Sequence, residues 1–125
     1  QTSQIVDSDQ VLVRQIREYI DKNCFHYNFS IQSMAQYFDM STSYISRYFK
    51  QHTGLTPIKY TQQRRIKKAM ELLISTDLTI QEIVQQIGYV DIPTFISLFK
   101  KSIGVTPGEF RENYQKSDMQ YSKKP

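Results

Sequence analysis

The amino-acid sequence predicts an all-α fold of about seven helices, arranged as two helix-turn-helix units joined by a long linker helix. Three observations predict it. Apolar residues recur at helical spacing along the chain. Only four Gly and four Pro occur in 125 residues, too few for a protein built from tight β-turns. One structural unit is also written twice. Ile31, Met34, Ala35 and Phe38 mark one face of a short helix, and Ile80, Ile83, Val84 and Ile87 repeat that spacing 49 residues later. Phe49-Lys50 is followed by Gly54, Thr56 and Pro57; 50 residues on, Phe99-Lys100 is followed by Gly104, Thr106 and Pro107. The offset slips by one in the turn between, so the copies cover about 29–60 and 78–110.

Local signals place each element in order. Residues 1–10 are polar and aperiodic and read as a flexible lead-in. Leu12, Ile16, Tyr19 and Ile20 give a first helix near 11–24. Ser30 caps a helix starting at Ile31, and Ser41 caps the next. Thr56 followed by Pro57 opens a long helix to about residue 75, with Ile66, Ala69, Met70 and Leu73 on one side. Thr79 with Glu82 is a capping box. Asp91 caps a helix whose first turn holds Pro93, where a missing N–H costs nothing. Gly54 and Gly104 stop the second helix of each unit. Thr106-Pro107 opens a short last helix to 114. The expected organisation is a lead-in over 1–10, a first unit over 11–56, a linker helix over 57–75, a second unit over 76–114 and a flexible tail over 115–125.

Charge and composition narrow the function. The net charge is +4, and its distribution is one-sided. Between residues 40 and 70 the chain carries Arg47, Lys50, Lys59, Arg64, Arg65, Lys67 and Lys68 with no acid, which favours an anionic partner. With Lys100, Lys101 and Arg111, these cations suit neutralisation of about five to eight phosphates. No apolar run approaches the roughly 20 residues of a membrane span, so no membrane contact is expected of this segment. The single Cys24 fits a small core residue in a reducing, cytoplasmic setting. His26 and His52 have no Cys or acid at ligand spacing, so no metal is expected. The acids are scattered and no Gly-rich phosphate loop occurs, which argues against an enzyme and against a cofactor. The nine Tyr and seven Phe fall at helical spacing and read as core.

A helix-turn-helix packs its first helix across its second and leaves one face of the second free for the major groove of double-stranded DNA. In the first unit Ile45, Tyr48 and Phe49 point inward, while Thr42, Ser43, Ser46, Arg47 and Lys50 share the other face. Short hydroxyls permit close approach, Arg47 can pair with a guanine edge, and Lys50 suits a phosphate. Ser41, Thr42, Lys59, Arg64, Lys100 and Lys101 complete the expected phosphate contacts. In the second unit the matching face offers Ile92, Pro93, Ile96 and Ser97; Ile96 could touch a thymine methyl. A linker of about 19 residues spans roughly 28 Å, near the 34 Å between successive major grooves on one side of DNA.

These motifs resemble the DNA-binding domain of the AraC/XylS family of transcription regulators. The likeness is carried by F-S-I-Q-S-M-A-Q-Y-F-D-M-S-T-S-Y-I-S-R-Y-F-K-Q-H-T-G-L-T-P, by R-R-I-K-K-A-M-E-L-L, and by I-Q-E-I-V-Q-Q-I-G-Y-V-D-I-P-T-F-I-S-L-F-K-K-S-I-G-V-T-P-G-E-F-R, and it covers about 11–114. It implies two reading helices in successive major grooves. By position the family's base readers map to Ser43, Ser46 and Arg47, and to Pro93, Thr94 and Ser97. It also implies RNA polymerase as a partner at a promoter and a separate sensing or receiver domain in a longer regulator; the chain opens on Gln1 rather than Met, which suits such a fragment. Three residues depart from the family pattern. Ser97 stands where an arginine reader is common, Val84 replaces an alanine at the helix crossing, and Thr61 replaces a leucine. The first unit is therefore expected to supply most of the specificity. A different class of function, a helical module that keeps the fold but docks on a protein, is suggested by Ile92, Pro93 and Ile96 on the second reading face.

Overall fold

The computed structural model describes residues 2–89 and 91–122, with side chains described over 10–89 and 91–118. Gln1 and the Lys-Lys-Pro end of the expected tail lie outside the described residues. Among the described residues all regular structure is helical, in seven segments: α1 (Thr2–Asn23), α2 (Ile31–Tyr37), α3 (Thr42–Thr53), α4 (Pro57–Ser75), α5 (Ile80–Ile87), α6 (Ile92–Ile103) and α7 (Pro107–Ser122).

The caps form as their chemistry dictates. Ser30 Oγ accepts from the Ser33 N–H at 3.0 Å, and Ser41 Oγ accepts from the Tyr44 N–H at 3.1 Å. Thr79 and Glu82 close a full capping box. Gly54 and Gly104 end α3 and α6 in the left-handed region, at φ 83° and 100°, where a Cβ would be strained. The left-handed residues after α2 and α5, Asp39 and Gly88, are 49 apart, whereas the caps of α3 and α6, Ser41 and Asp91, are 50 apart, so the one-residue slip of the repeat lies in the turn.

Both terminal helices run further than the periodicity predicts. Residues 2–10, expected to be a lead-in, belong to α1, and α7 continues past 114 to Ser122. Polar residues without an apolar stripe carry no periodic signal. They also contain no breaker, so a helix anchored by its packed part can propagate through them one hydrogen bond at a time.

Residues Gln1–Arg64 and Arg65–Pro125 form two compact units. The boundary falls inside α4, so α4 is not a bare spacer: each of its ends belongs to one unit. In the first unit, Val13, Ile16, Ile20 and Cys24 of α1 and the following loop pack with Met34, Ala35, Ile45, Tyr48 and Phe49. α4 is tied back to α1 through Asp21, whose Oδ1 accepts from the Tyr60 hydroxyl at 2.8 Å and lies 3.0 Å from Arg64 Nε. Burial and the bond to Asp21 push the Tyr60 phenol up to about 12. In the second unit the buried residues include Ile66, Ala69 and Leu73 of α4, Ile83, Val84 and Ile87 of α5, Phe95 and Phe99 of α6, and Pro107 of α7. One contact recurs in both units. Phe49 meets Tyr60 edge-on at 5.6 Å, and their repeat counterparts Phe99 and Phe110 meet edge-on at 5.7 Å.

Position 61 and its counterpart 111 close the units differently. Thr61 is 5 % exposed, and its hydroxyl has no partner among the described residues. Arg111, expected to face phosphate, instead donates from Nε to Leu73 O at 3.0 Å, from one terminal nitrogen to Leu78 O at 2.7 Å, and from the other to Thr76 O at 3.1 Å. It caps the end of α4 and the chain that follows. Helix-terminal carbonyls lack intrahelical donors, and a guanidinium satisfies several at once. Arg111→Ala should therefore destabilise the domain by about 2–3 kcal/mol, read as a lower urea midpoint. Arg111→Lys should recover only part of this, because an ammonium cannot bridge the same three carbonyls. An unchanged midpoint in both variants would contradict this role.

Candidate nucleic-acid interface

α3 carries the more polar of the two outward faces. Ile45 and Phe49 are completely buried and Tyr48 nearly so, which fixes the rotation of the helix. Ser43, Arg47 and Lys50 are then exposed and Ser46 is half-buried. Ser41 and Thr42 are exposed at the N-terminal end. Lys50 and Lys59, from α3 and α4, line one shallow groove of about 380 Å³ with Leu55, Ile58 and Gln62. The tertiary structure thus joins two cations that the sequence separates.

Sequence reasoning missed Tyr44. It is 44 % exposed beside the reading face, its ring is stacked on Tyr48 at 6.0 Å, and Tyr48 meets His52 at a tilt, with centroids 4.2 Å apart. The i, i+4, i+8 spacing of the three rings was visible in the sequence; that Tyr44 would be the exposed end of the ladder was not.

Other expected contacts are engaged elsewhere. Arg64 forms an ion pair with Asp21 and is one-third exposed. Lys68 lies 4.0 Å from Glu71. Arg64 was expected at phosphate because the local sequence holds no acid, yet its partner sits on α1.

In the second unit, Asp91 Oδ1 accepts from the Thr94 N–H at 2.8 Å and caps α6. Pro93, Thr94 and Ser97 are exposed, whereas Ile92 and Ile96 are half-buried and turned partly toward the core. Lys100 and Lys101 are exposed in the last turn. Glu109 makes a capping box with Thr106 at the start of α7. Its bonds to Thr106, and to a lesser degree the charge of Lys100, hold its carboxyl below the usual range. The counterpart of Glu109 in the first unit is Lys59, so Lys50 has a basic neighbour where Lys100 has an acidic one. Among the described residues no group of three His, Cys, Asp or Glu is placed to hold a metal, and no helix is long and apolar enough to cross a membrane.

Residues 34–113 match the model of a helix-turn-helix domain family. The chain belongs to the AraC-type helix-turn-helix family. This AraC-type domain is 39 % identical over 104 residues to the bifunctional transcriptional activator/DNA repair enzyme AdaA of Bacillus subtilis, covering 83 % of this chain and 49 % of that protein. It is 34 % identical over 99 residues to the arabinose operon regulatory protein of Escherichia coli, covering 79 % of this chain and 34 % of that one. The domain therefore spans half or less of these relatives. Among solved structures, the C-terminal domain of AraT, a response regulator from Geobacillus stearothermophilus, is similar with a TM-score of 0.79 and 38 % identity, over 81 % of this chain and 84 % of that one.

The Asp91 cap has a pH signature. Its bonds to Thr94 lower the folded carboxyl below its ordinary value. Its stabilisation is therefore complete above the unfolded value of about 3.9 and is lost as pH falls through the lower folded one. Asp91→Asn keeps a capping oxygen without the charge. The difference in urea midpoint between wild type and Asp91→Asn should be constant near neutrality and shrink below about pH 3.9. A difference that stays flat through acid would show that the charge contributes nothing.

Proposed function

We propose that this domain binds double-stranded DNA sequence-specifically to regulate transcription, with α3 and α6 entering successive major grooves on one side of the duplex. The observation that carries the reading is the outward face of α3. Ser43, Ser46 and Arg47 offer donors suited to base edges, and the Lys50–Lys59 groove beside them suits the phosphate backbone. Its relatives are named as transcription regulators, which supports the same reading. The domain acts by binding and not by catalysis, within a longer cytoplasmic regulator that has a sensing or receiver region and meets RNA polymerase at a promoter. A second reading, docking on a protein through the second unit, is favoured only by Ile92, Pro93 and Ile96 on α6.

A salt-titrated binding assay on duplex DNA tests the proposal. With Arg64 and Arg111 engaged internally, the exposed cations on α3, on α6 and in the groove beside α3 are Arg47, Lys50, Lys59, Lys100 and Lys101. Log K should fall against log salt with a slope of about −4 to −5. No binding at low salt would favour the protein-docking reading, and a slope shallower than about −2 would contradict the charge-based footprint.

The two units should read unequally. Arg47→Ala should cost about 1–3 kcal/mol and relax preference at one or two base pairs. Ser97→Ala should cost less than about 1 kcal/mol, because one exposed hydroxyl discriminates little. Both variants are compared on one selected duplex at one salt concentration. Equal losses of specificity would refute the asymmetry.

A further inference from the structure

Arg65 stands in the acid-free basic block, where its charge reads as one more phosphate contact. The structure gives it a different neighbour. Its guanidinium carbon lies 5.1 Å from the centre of the Tyr89 ring. Tyr89 follows Gly88, which closes α5 in the left-handed region at φ 98°, and it lies two residues before the Asp91 that caps α6. The Tyr89 ring packs on Phe95 at 5.9 Å, Phe95 on Phe99 at 5.7 Å, and Phe99 edge-on against Phe110. A stack thus runs from α4 through the turn into the buried face of α6.

The first unit anchors the corresponding turn differently. Asp39 takes the left-handed conformation there at φ 57°, and Met40 after it packs against the core. A thioether fills that place. In the second unit a phenol fills it, half-buried, with a guanidinium over its face. Burial pushes the Tyr89 phenol above its ordinary value, and the Arg65 charge opposes the shift. A cation against a partly desolvated ring is held more firmly than one in water.

We propose that Arg65 is a positioning residue for DNA reading by α6: held over the Tyr89 ring, it fixes the turn from which α6 starts and so orients Pro93, Thr94 and Ser97, and it does not neutralise a phosphate. This rests on the DNA-binding reading above.

The test uses the full chain with Arg65→Met, Arg65→Lys and Tyr89→Leu. Met keeps an unbranched stem and drops the charge; Lys keeps a cation over the ring. Binding is measured across a salt series on a selected duplex and on a shortened duplex carrying only the first half of the site. Arg65→Met should weaken binding to the long duplex about five- to tenfold, leave the short one unchanged, and preserve the wild-type salt slope. Arg65→Lys should recover part of the loss, and Arg65→Met should add nothing in a Tyr89→Leu background. A slope shallower by about 0.9, with equal losses on both duplexes, would make Arg65 a phosphate contact and overturn the proposal. Unchanged binding on both would overturn it as well. Amide exchange in the free protein separates this inference from the DNA reading. Arg65→Met should speed exchange in the first turn of α6 and leave α3 unaltered. If the wild-type chain binds no duplex, the DNA reading fails, and unchanged exchange in the variant would then reject the positioning role too.

Discussion

The edge-to-face contact between the last buried ring of a reading helix and the helix that follows it governs the rest of this structure. Phe49 against Tyr60 and Phe99 against Phe110 repeat one contact at one separation in both units. Both phenylalanines are completely buried. A helix can present a face to a ligand only if its opposite face is fixed, because rotation by one residue, about 100°, would exchange one set of side chains for another. The ring pair supplies that fixation from the C-terminal half of the reading helix, and the side-chain cap supplies it from the N-terminus. What Arg47 or Ser97 can touch follows from these two restraints.

The same scaffold is then finished with different chemistry in each copy. The first unit joins α4 to α1 through Asp21, Tyr60 and Arg64, and places Lys50 beside Lys59. The second closes on the carbonyls at the end of α4 through Arg111, and places Glu109 near Lys100. Like charges in one groove suit an anion at the first unit, whereas a capping carboxylate offsets the cation of the second. The electrostatic difference agrees in direction with the difference in reading faces, hydroxyls and arginine on α3 against proline and half-buried isoleucines on α6. A duplicated fold therefore need not mean duplicated readout.

α4 shows how much a helix-level description leaves out. As a segment it is one amphipathic stretch from Pro57 to Ser75 with a proline start. As part of the molecule it is two half-helices, each with its own unit, dividing between Arg64 and Arg65. The two adjacent arginines point their charge in different directions, one to a carboxylate of the first unit and one to an aromatic ring of the second.

The sequence by itself determined the all-α class, the repeat, the start of α2 to α7 and the caps. All of these arise from interactions within about four residues or from a strict period. It also placed Ser43, Arg47, Lys50, Pro93 and Ser97 on exposed faces, since the apolar stripes of α3 and α6 dictate which side turns outward. The length of α1 and α7 was illegible, because their polar ends lack a stripe. The fate of the cations was decided only by the tertiary structure. Arg64, Arg65 and Arg111 read alike in a charge count, yet their partners are a carboxylate, a phenol ring and three carbonyls on distant segments. A charge is directed by what the fold brings within a few ångströms of it, and that neighbourhood is not written in the residues on either side.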